Sequence, residues 1–203
     1  MVPRGAADKV FINTAGIGSI PGGLNWGMRQ IAVGDVLLVS GTLGDHGATI
    51  LNLREGLGLE GDLQSDCAVL TPLIQALRDV PGVKTLRDAT RGGVNAVAHE
   101  FAASSGCGIE LQEGALPVKS AVRGACELLG LDPLNFANEG KLAIVVERSA
   151  VQQVLALLHQ QPLGQNAAII GEVVERKGVR LTGLYGVKRT LNLPHAEPLP
   201  RIC

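Results

Sequence analysis

Apolar and polar positions run along this chain in two periods, and the change from one to the other divides it into strands and helices. Residues 9–15 alternate as a strand, and GIGSIPGGLNWG after them reads as a linker. DVLLVS, residues 35–40, is a near-continuous apolar run, which predicts a strand in a sheet covered on both faces. The Gly-rich turn GTLGDHG leads from it into a helix over residues 48–57. A second helix is expected over residues 66–79, with Val69, Leu73 and Leu77 on one face and Pro72 in its first turns.

Beyond DVPGV, the strand KTLRD meets ATRGG, and a helix then turns Val94, Val97, Ala98 and Phe101 inward. GIELQ is a strand, residues 119–129 form a helix stopped by Gly130, and KLAIVVE is a core strand. Ser149 and Gln152, spaced as a capping box, predict the start of the helix AVQQVLALLHQ. AAIIGEVVE and GVRLTGLYG read as a closing hairpin that turns at Lys177 and Gly178. Interleaved strands and helices with a terminal hairpin define the expected class as α+β, with α/β-like layers. The architecture is a mixed β-sheet packed with helices.

The last stretch breaks the pattern. Pro194, Pro198 and Pro200 remove backbone donors and fix φ, so LNLPHAEPLPRIC is expected to be extended, near polyproline II. It ends on Cys203, too close to the terminus for a prenylation box, which needs the Cys four places from the end. Either the terminus is loose and happens to finish on a thiol, or the thiol has work to do.

Composition narrows the choice. The 203 residues suit one large domain, or one and a half. With 46% hydrophobic residues and a net charge of −1, a buried core is feasible and neither nucleic acid nor a membrane surface is indicated. Cys67, Cys107, Cys126 and Cys203 form no C-x-x-C pair, which argues for a reduced, cytoplasmic protein rather than a zinc ribbon or disulfide scaffold; no metal ligands are assigned. Cys67 and Cys126 fall in helical patterns and Cys107 in a loop entering a strand. No signal peptide or apolar run of about 18 residues is present. MVPRG at the start reads as a tag remnant or as native sequence, and on either reading the chain is expected to be part of a longer one.

Three turns have residues that can do chemistry. In SGTLGDHG, residues 40–47, backbone N–H groups at a helix start make a natural anion site, but such turns are also plain packing corners. His46 there is a loop hydrogen-bonder or a proton carrier. In RDATRGG, Asp88 can hold Mg²⁺ or a substrate amide and Arg91 can meet phosphate; alternatively Asp88 or Thr90 caps the helix beside an Arg–Asp pair. In NFANEGKLAIVV, Glu139 precedes a buried strand beside Gly140, where it serves as a general base or is a solvated residue paired with Lys141.

Taken together, GTLGDHGATILNLREGLGLEGDLQSDCAVLTPLI, RDATRGGVNAV, NFANEGKL and the terminal PRIC resemble one family. It is that of the hydrogenase maturation factors in the aminoimidazole ribonucleotide synthetase and selenophosphate synthetase superfamily. The resemblance runs from about Arg4 to Cys203. It implies a remnant strand of a missing N-terminal ATP-binding domain plus linker over residues 1–30. A C-terminal synthetase-like domain follows over 31–189, then the extended tail over 190–203.

The resemblance also implies a reaction. The carbamoyltransferase HypF places a carbamoyl group on Cys203, an ATP-dependent step dehydrates it to a thiocyanate, and cyanide passes to iron held by the HypC–HypD complex. Glu139 would be the base, with Gly41, Gly44, His46, Asp88 and Arg91 on the nucleotide side. ATP and Mg²⁺ would be held mostly by the absent domain, which also carries the homodimer interface, so this chain alone is expected to be inactive. The residue logic agrees: an amide oxygen becomes a leaving group once phosphorylated, and a base must take the N–H protons. A 14-residue arm from Thr190 to Cys203 spans roughly 40 Å at about 3.1 Å per residue. The competing readings are a ferredoxin-like ligand-binding or partner-docking module, and a sulfur carrier that uses the same thiol.

Overall fold

The strand β1 (Val36–Val39) is buried at all four positions, and its alternate side chains enter two different cores. The computed structural model of the chain describes residues 15–59, 61 and 63–193. Residues 9–14 of the expected first strand, and the tail from Pro194 to Cys203, lie outside the described residues. Leu37 and Val39 join a cluster with Val97 and Phe101, while Val36 and Leu38 join Leu73, Leu77, Val154 and Leu158. Successive Cβ atoms of a strand point to opposite faces, so an unbroken apolar run requires cover on both.

The other strands are β2 (Val83–Asp88), β3 (Gly108–Gln112), β4 (Leu142–Val146), β5 (Ala168–Val174), β6 (Gly178–Thr182) and β7 (Lys188–Thr190). They form one seven-stranded sheet in the order β2-β4-β1-β5-β3-β6-β7, antiparallel throughout except between β3 and β6. The helices are α1 (Asp45–Glu55), α2 (Thr71–Leu77), α3 (Gly93–Ser105), α4 (Ser120–Leu129) and α5 (Val151–His159). α3 covers one face with Phe101 fully buried; α2 and α5 cover the other. α1 and α4 close a third, smaller core around Phe136. The mixed sheet with packed helices is therefore the α+β arrangement expected. Among the described residues no helix is long and apolar enough to cross a membrane.

Three local expectations are corrected. β5 and β6 are not a hairpin, because β3 lies between them and pairs with both. The connection at residues 175–177 arches over the start of β3, where a Cβ on Gly108 would sit 1.8 Å from the Arg176 carbonyl oxygen. The glycine at that position is what lets the two segments cross. Ser149 caps nothing: its hydroxyl donates to Glu147, a 3₁₀ turn fills Arg148–Ala150, and α5 starts only at Val151. Finally, α2 begins at Thr71, with Pro72 in its first turn, so Cys67 is in irregular chain and Val69 is exposed. Proline is at home in a helix's first turn and ends a helix that would otherwise run through it.

Candidate functional site

The three turns singled out in the sequence meet at one end of the sheet. Val39 of β1 pairs with Ala143, and Asp88 of β2 pairs with Leu142, so the ends of β1 and β2 flank the beginning of β4. Ser40 exchanges bonds with Leu142: its N–H donates to the Leu142 carbonyl and its Oγ accepts from the Leu142 N–H, both at 2.9 Å. On the other side the Ala89 N–H donates to the Lys141 carbonyl at 3.0 Å.

Asn138 ties the turns together. It is 1% exposed, and its Nδ2 donates to the carbonyls of Ala89 and Phe136 at 3.0 and 3.1 Å. Its Oδ1 accepts the Gly44 N–H at 2.8 Å, at the head of α1. Removing that side chain would orphan a buried N–H, a loss of about 1–3 kcal/mol before packing is counted.

The first turn is a packing corner at several of its donors. The N–H groups of Leu43, Gly44 and Gly47 are engaged with Pro117, Asn138 and Ala137. Asp45 is buried there, held by the Thr42 hydroxyl and by Lys119 at 3.2 Å. A corner with three of its N–H donors already used, and which buries a carboxylate, is a poor phosphate cradle. Gly41 lies over the stem of Lys141; a Cβ there would meet Lys141 Cε at 3.0 Å. His46 is in α1, buried, with Nδ1 2.8 Å from Ser65 Oγ and 4.0 Å from Cys67 Sγ. Its Nε2 is buried without a hydrogen-bond partner among the described residues.

On the second turn, Asp88 closes β2 with its carboxylate half exposed, paired with Arg87 and accepting the Thr90 hydroxyl at 3.2 Å. Arg87 also reaches Glu100 at 3.0 Å. Neither Asp88 nor Thr90 supplies a side-chain cap to α3, whose N-cap is Gly92. Arg91 is exposed beside them. A half-exposed carboxylate and an exposed guanidinium three residues apart suit the charges of a metal–phosphate pair.

On the third turn, Glu139 is partly exposed, and its N–H donates to Asp66 Oδ1 at 3.0 Å. Lys141 does not pair with Glu139 as a solvated turn would have it; its Nζ lies 3.0 Å from Asp66 Oδ2. Asp66, Asn138 and the Asp45–Lys119 pair were not reached by sequence reasoning. The sequence puts Asp66 at the start of the helix expected over residues 66–79, a pattern that says nothing about what its carboxylate meets; in the structure the segment before Thr71 is irregular. Of the other cysteines, Cys67 is exposed, Cys107 is partly buried, and burial pushes the Cys126 thiol up to about 11.

The chain belongs to the AIR synthase related proteins: their C-terminal domain matches residues 32–183. Within that family its similarity is to the carbamoyl dehydratase HypE. It is 78% identical over 203 residues to that of Escherichia coli and 46% identical over 206 residues to that of Azotobacter vinelandii, all of this chain matching 60% of each protein. The chain thus spans about three fifths of the length of the curated relatives it matches.

Among solved structures, E. coli HypE, a hydrogenase maturation protein, superposes with a TM-score of 0.94 at 78% identity, over 98% of this chain and 62% of that one. A HypE in a HypE–HypF complex matches at 42% identity with a TM-score of 0.80, over 82% of this chain and 55% of that one. A HypE solved with ATP matches at 37% identity with a TM-score of 0.83, over 88% and 55%.

Proposed function

We propose that this chain is the thiol-bearing part of an ATP-dependent carbamoyl dehydratase that makes cyanide for the iron of a [NiFe]-hydrogenase. The observation that carries the reading is the placement of Glu139: a partly exposed carboxylate on a turn whose neighbours are tied down on every side. The substrate is a carbamoyl group on Cys203, delivered by HypF. In the dehydration the amide oxygen takes a phosphoryl group from ATP, giving ADP. Glu139 removes protons from the nitrogen, and the oxygen leaves as phosphate, so that the C–N bond ends as a nitrile on sulfur. The cyano group of the thiocyanate then passes to iron on HypC–HypD; the S–C bond breaks with two electrons supplied by that reduced iron-carrying complex, leaving iron-bound cyanide and a restored thiolate.

Asp88 and Arg91 stand on the nucleotide side, where Mg²⁺ would neutralise phosphate charge. Gly41, Gly44 and His46, on the turn whose N–H groups are largely engaged within the protein, are assigned to the same side by the resemblance alone. Most of the ATP site and a homodimer interface belong to the remaining two fifths of the relatives' length. The domain division that goes with this reading is a remnant strand plus linker to residue 30, a synthetase-like domain to 189 and a thiol arm from 190 to 203, of which Thr190 is still paired in β7. A cytoplasmic location goes with this reading.

Peptide mapping tests it. In a protein of the relatives' full length, given HypF, carbamoyl phosphate and ATP, the C-terminal peptide should gain a carbamoyl group and then lose one water. Cys203→Ala should abolish acceptance. Cys203→Ser should do nearly the same, because a hydroxyl is far less ionised than a thiol whose pKa is about 8.5. Label on Cys67, Cys107 or Cys126 with Cys203 bare would end the proposal; added sulfur in place of carbamoyl would favour a sulfur carrier.

A further inference from the structure

Asp66 lies 73 residues from Glu139 in sequence, yet it holds the turn that presents it. Its side chain is only 4% exposed, and the two carboxylate oxygens have separate tasks. Oδ1 accepts the Glu139 N–H at 3.0 Å, and Oδ2 pairs with Lys141 Nζ at 3.0 Å, the lysine side chain itself being 11% exposed. The backbone of Asp66 acts too. A Cβ on Gly140 would lie 1.8 Å from its carbonyl oxygen, so the chain at residue 140 runs directly against that carbonyl and only glycine fits.

Each residue from 138 to 141 is therefore fixed by something outside the turn. Asn138 is held by Gly44 and Ala89, Glu139 and Lys141 by the carboxylate of Asp66, and Gly140 by its carbonyl. A turn on its own would leave the Glu139 Cα–Cβ bond free to swing. With its amide anchored and the next residue pressed against a carbonyl, the bond has one direction. Reaction rates are sensitive to that: a displacement of about 1 Å can cost roughly 10²-fold.

We infer that Asp66 is a positioning residue for Glu139, acting through the Glu139 N–H, with Lys141 serving to hold the Asp66 carboxylate in place. The inference rests on the reading of Glu139 as the base. It gives the irregular segment before α2, which has no other evident reason to be buried at one aspartate, a part in the dehydration.

The test is a set of variants in a protein of the relatives' full length, scored by loss of water from the carbamoylated C-terminal peptide. Lys141→Met accompanies each change at Asp66, so that no lysine is stranded without its counter-charge. Asp66→Ala with Lys141→Met should slow dehydration by about 10–100-fold. Carbamoyl acceptance and the KM for ATP should stay unchanged, because only the turnover step uses the base. Asp66→Asn with Lys141→Met restores an acceptor at the Oδ1 position and should recover the rate to within a few-fold.

If the alanine variant does not fold, Asp66→Gln with Lys141→Met takes its place, since it shifts the acceptor by one methylene; it too should be slow. Dehydration at the parent rate in the alanine or glutamine variant overturns the inference, as does an equal loss in the asparagine variant. Glu139→Gln, run alongside, separates the two claims. If it is inactive while the Asp66 variants are normal, only the positioning role fails; if it is fully active, the base reading fails and Asp66 has nothing to position.

Discussion

At the scale of single residues, the chemistry turns on which polar groups are buried with partners and which are left at the surface. Asn138 is buried with both its side-chain polar atoms hydrogen-bonded, and the Asp66 side chain is covered and paired with Lys141, whereas Glu139 is partly exposed. Lys141 pairs with Asp66 and not with Glu139, and Glu139 is the carboxylate proposed as the base. Glu139→Gln keeps the shape and the backbone amide that Asp66 holds, but cannot accept a proton. It should leave carbamoylation of Cys203 intact and slow its dehydration by about 10²–10⁴-fold. Accumulation of the carbamoylated peptide in a mass spectrum, with ATP present, is the signature; thiocyanate formed at the parent rate would return Glu139 to a structural role. Glu139 was a candidate in the sequence because it stands beside a glycine at the mouth of an apolar strand. Asp66 was not, because its significance is wholly a matter of what lies across from it.

At the scale of elements, the apolar periods located every strand from β1 to β6 and the inward face of α3. What they could not give was pairing. β5 and β6 follow each other closely with a turn between them, and the commonest outcome of that pattern is a hairpin. Here β3 takes the place between, and it does so with a charged residue at its centre. Glu110 is buried on β3 with Lys188 of β7 at 2.5 Å, Arg180 of β6 at 3.4 Å and the Thr182 hydroxyl at 3.1 Å. Nothing in GIELQ alone says that its glutamate will be covered by cations from two later strands.

This cluster predicts an acid response. The hydrogen bond from Lys188 holds the Glu110 carboxyl below the usual carboxylate range; burial opposes it, and Thr182 and Arg180 add to the lowering. The unfolded chain therefore binds this proton more readily than the folded one. The stabilisation is full above the ordinary carboxylate pKa of about 4.3 and is lost as pH falls through the lower folded value. Glu110→Gln should melt below the parent at neutral pH, and the gap should narrow as the pH is lowered through the acid range. Melting curves that stay parallel across that range would show that the β3–β6–β7 edge draws nothing from this charge.

At the scale of the whole molecule, the division of labour between this chain and the rest of its relatives' length sets what it can do alone. The turn nearest to a phosphate-binding form, residues 40–47, uses the N–H groups of Leu43, Gly44 and Gly47 inside the protein. Its acidic residue, Asp45, is buried against Lys119 rather than turned outward. On the reading proposed above, and among the described residues, that leaves Asp88 and Arg91 as the charged contributions on the nucleotide side, too few to hold a triphosphate and its metal with useful affinity. We therefore expect this chain to bind Mg-ATP weakly and to hydrolyse none, while a chain of the relatives' full length binds it well. Isothermal titration of the two side by side measures the difference directly. Binding of equal strength in both would mean that the turns gathered at the end of β1, β2 and β4 are themselves the nucleotide site, and would move Asp88 and Arg91 from the margin of the reaction to its centre.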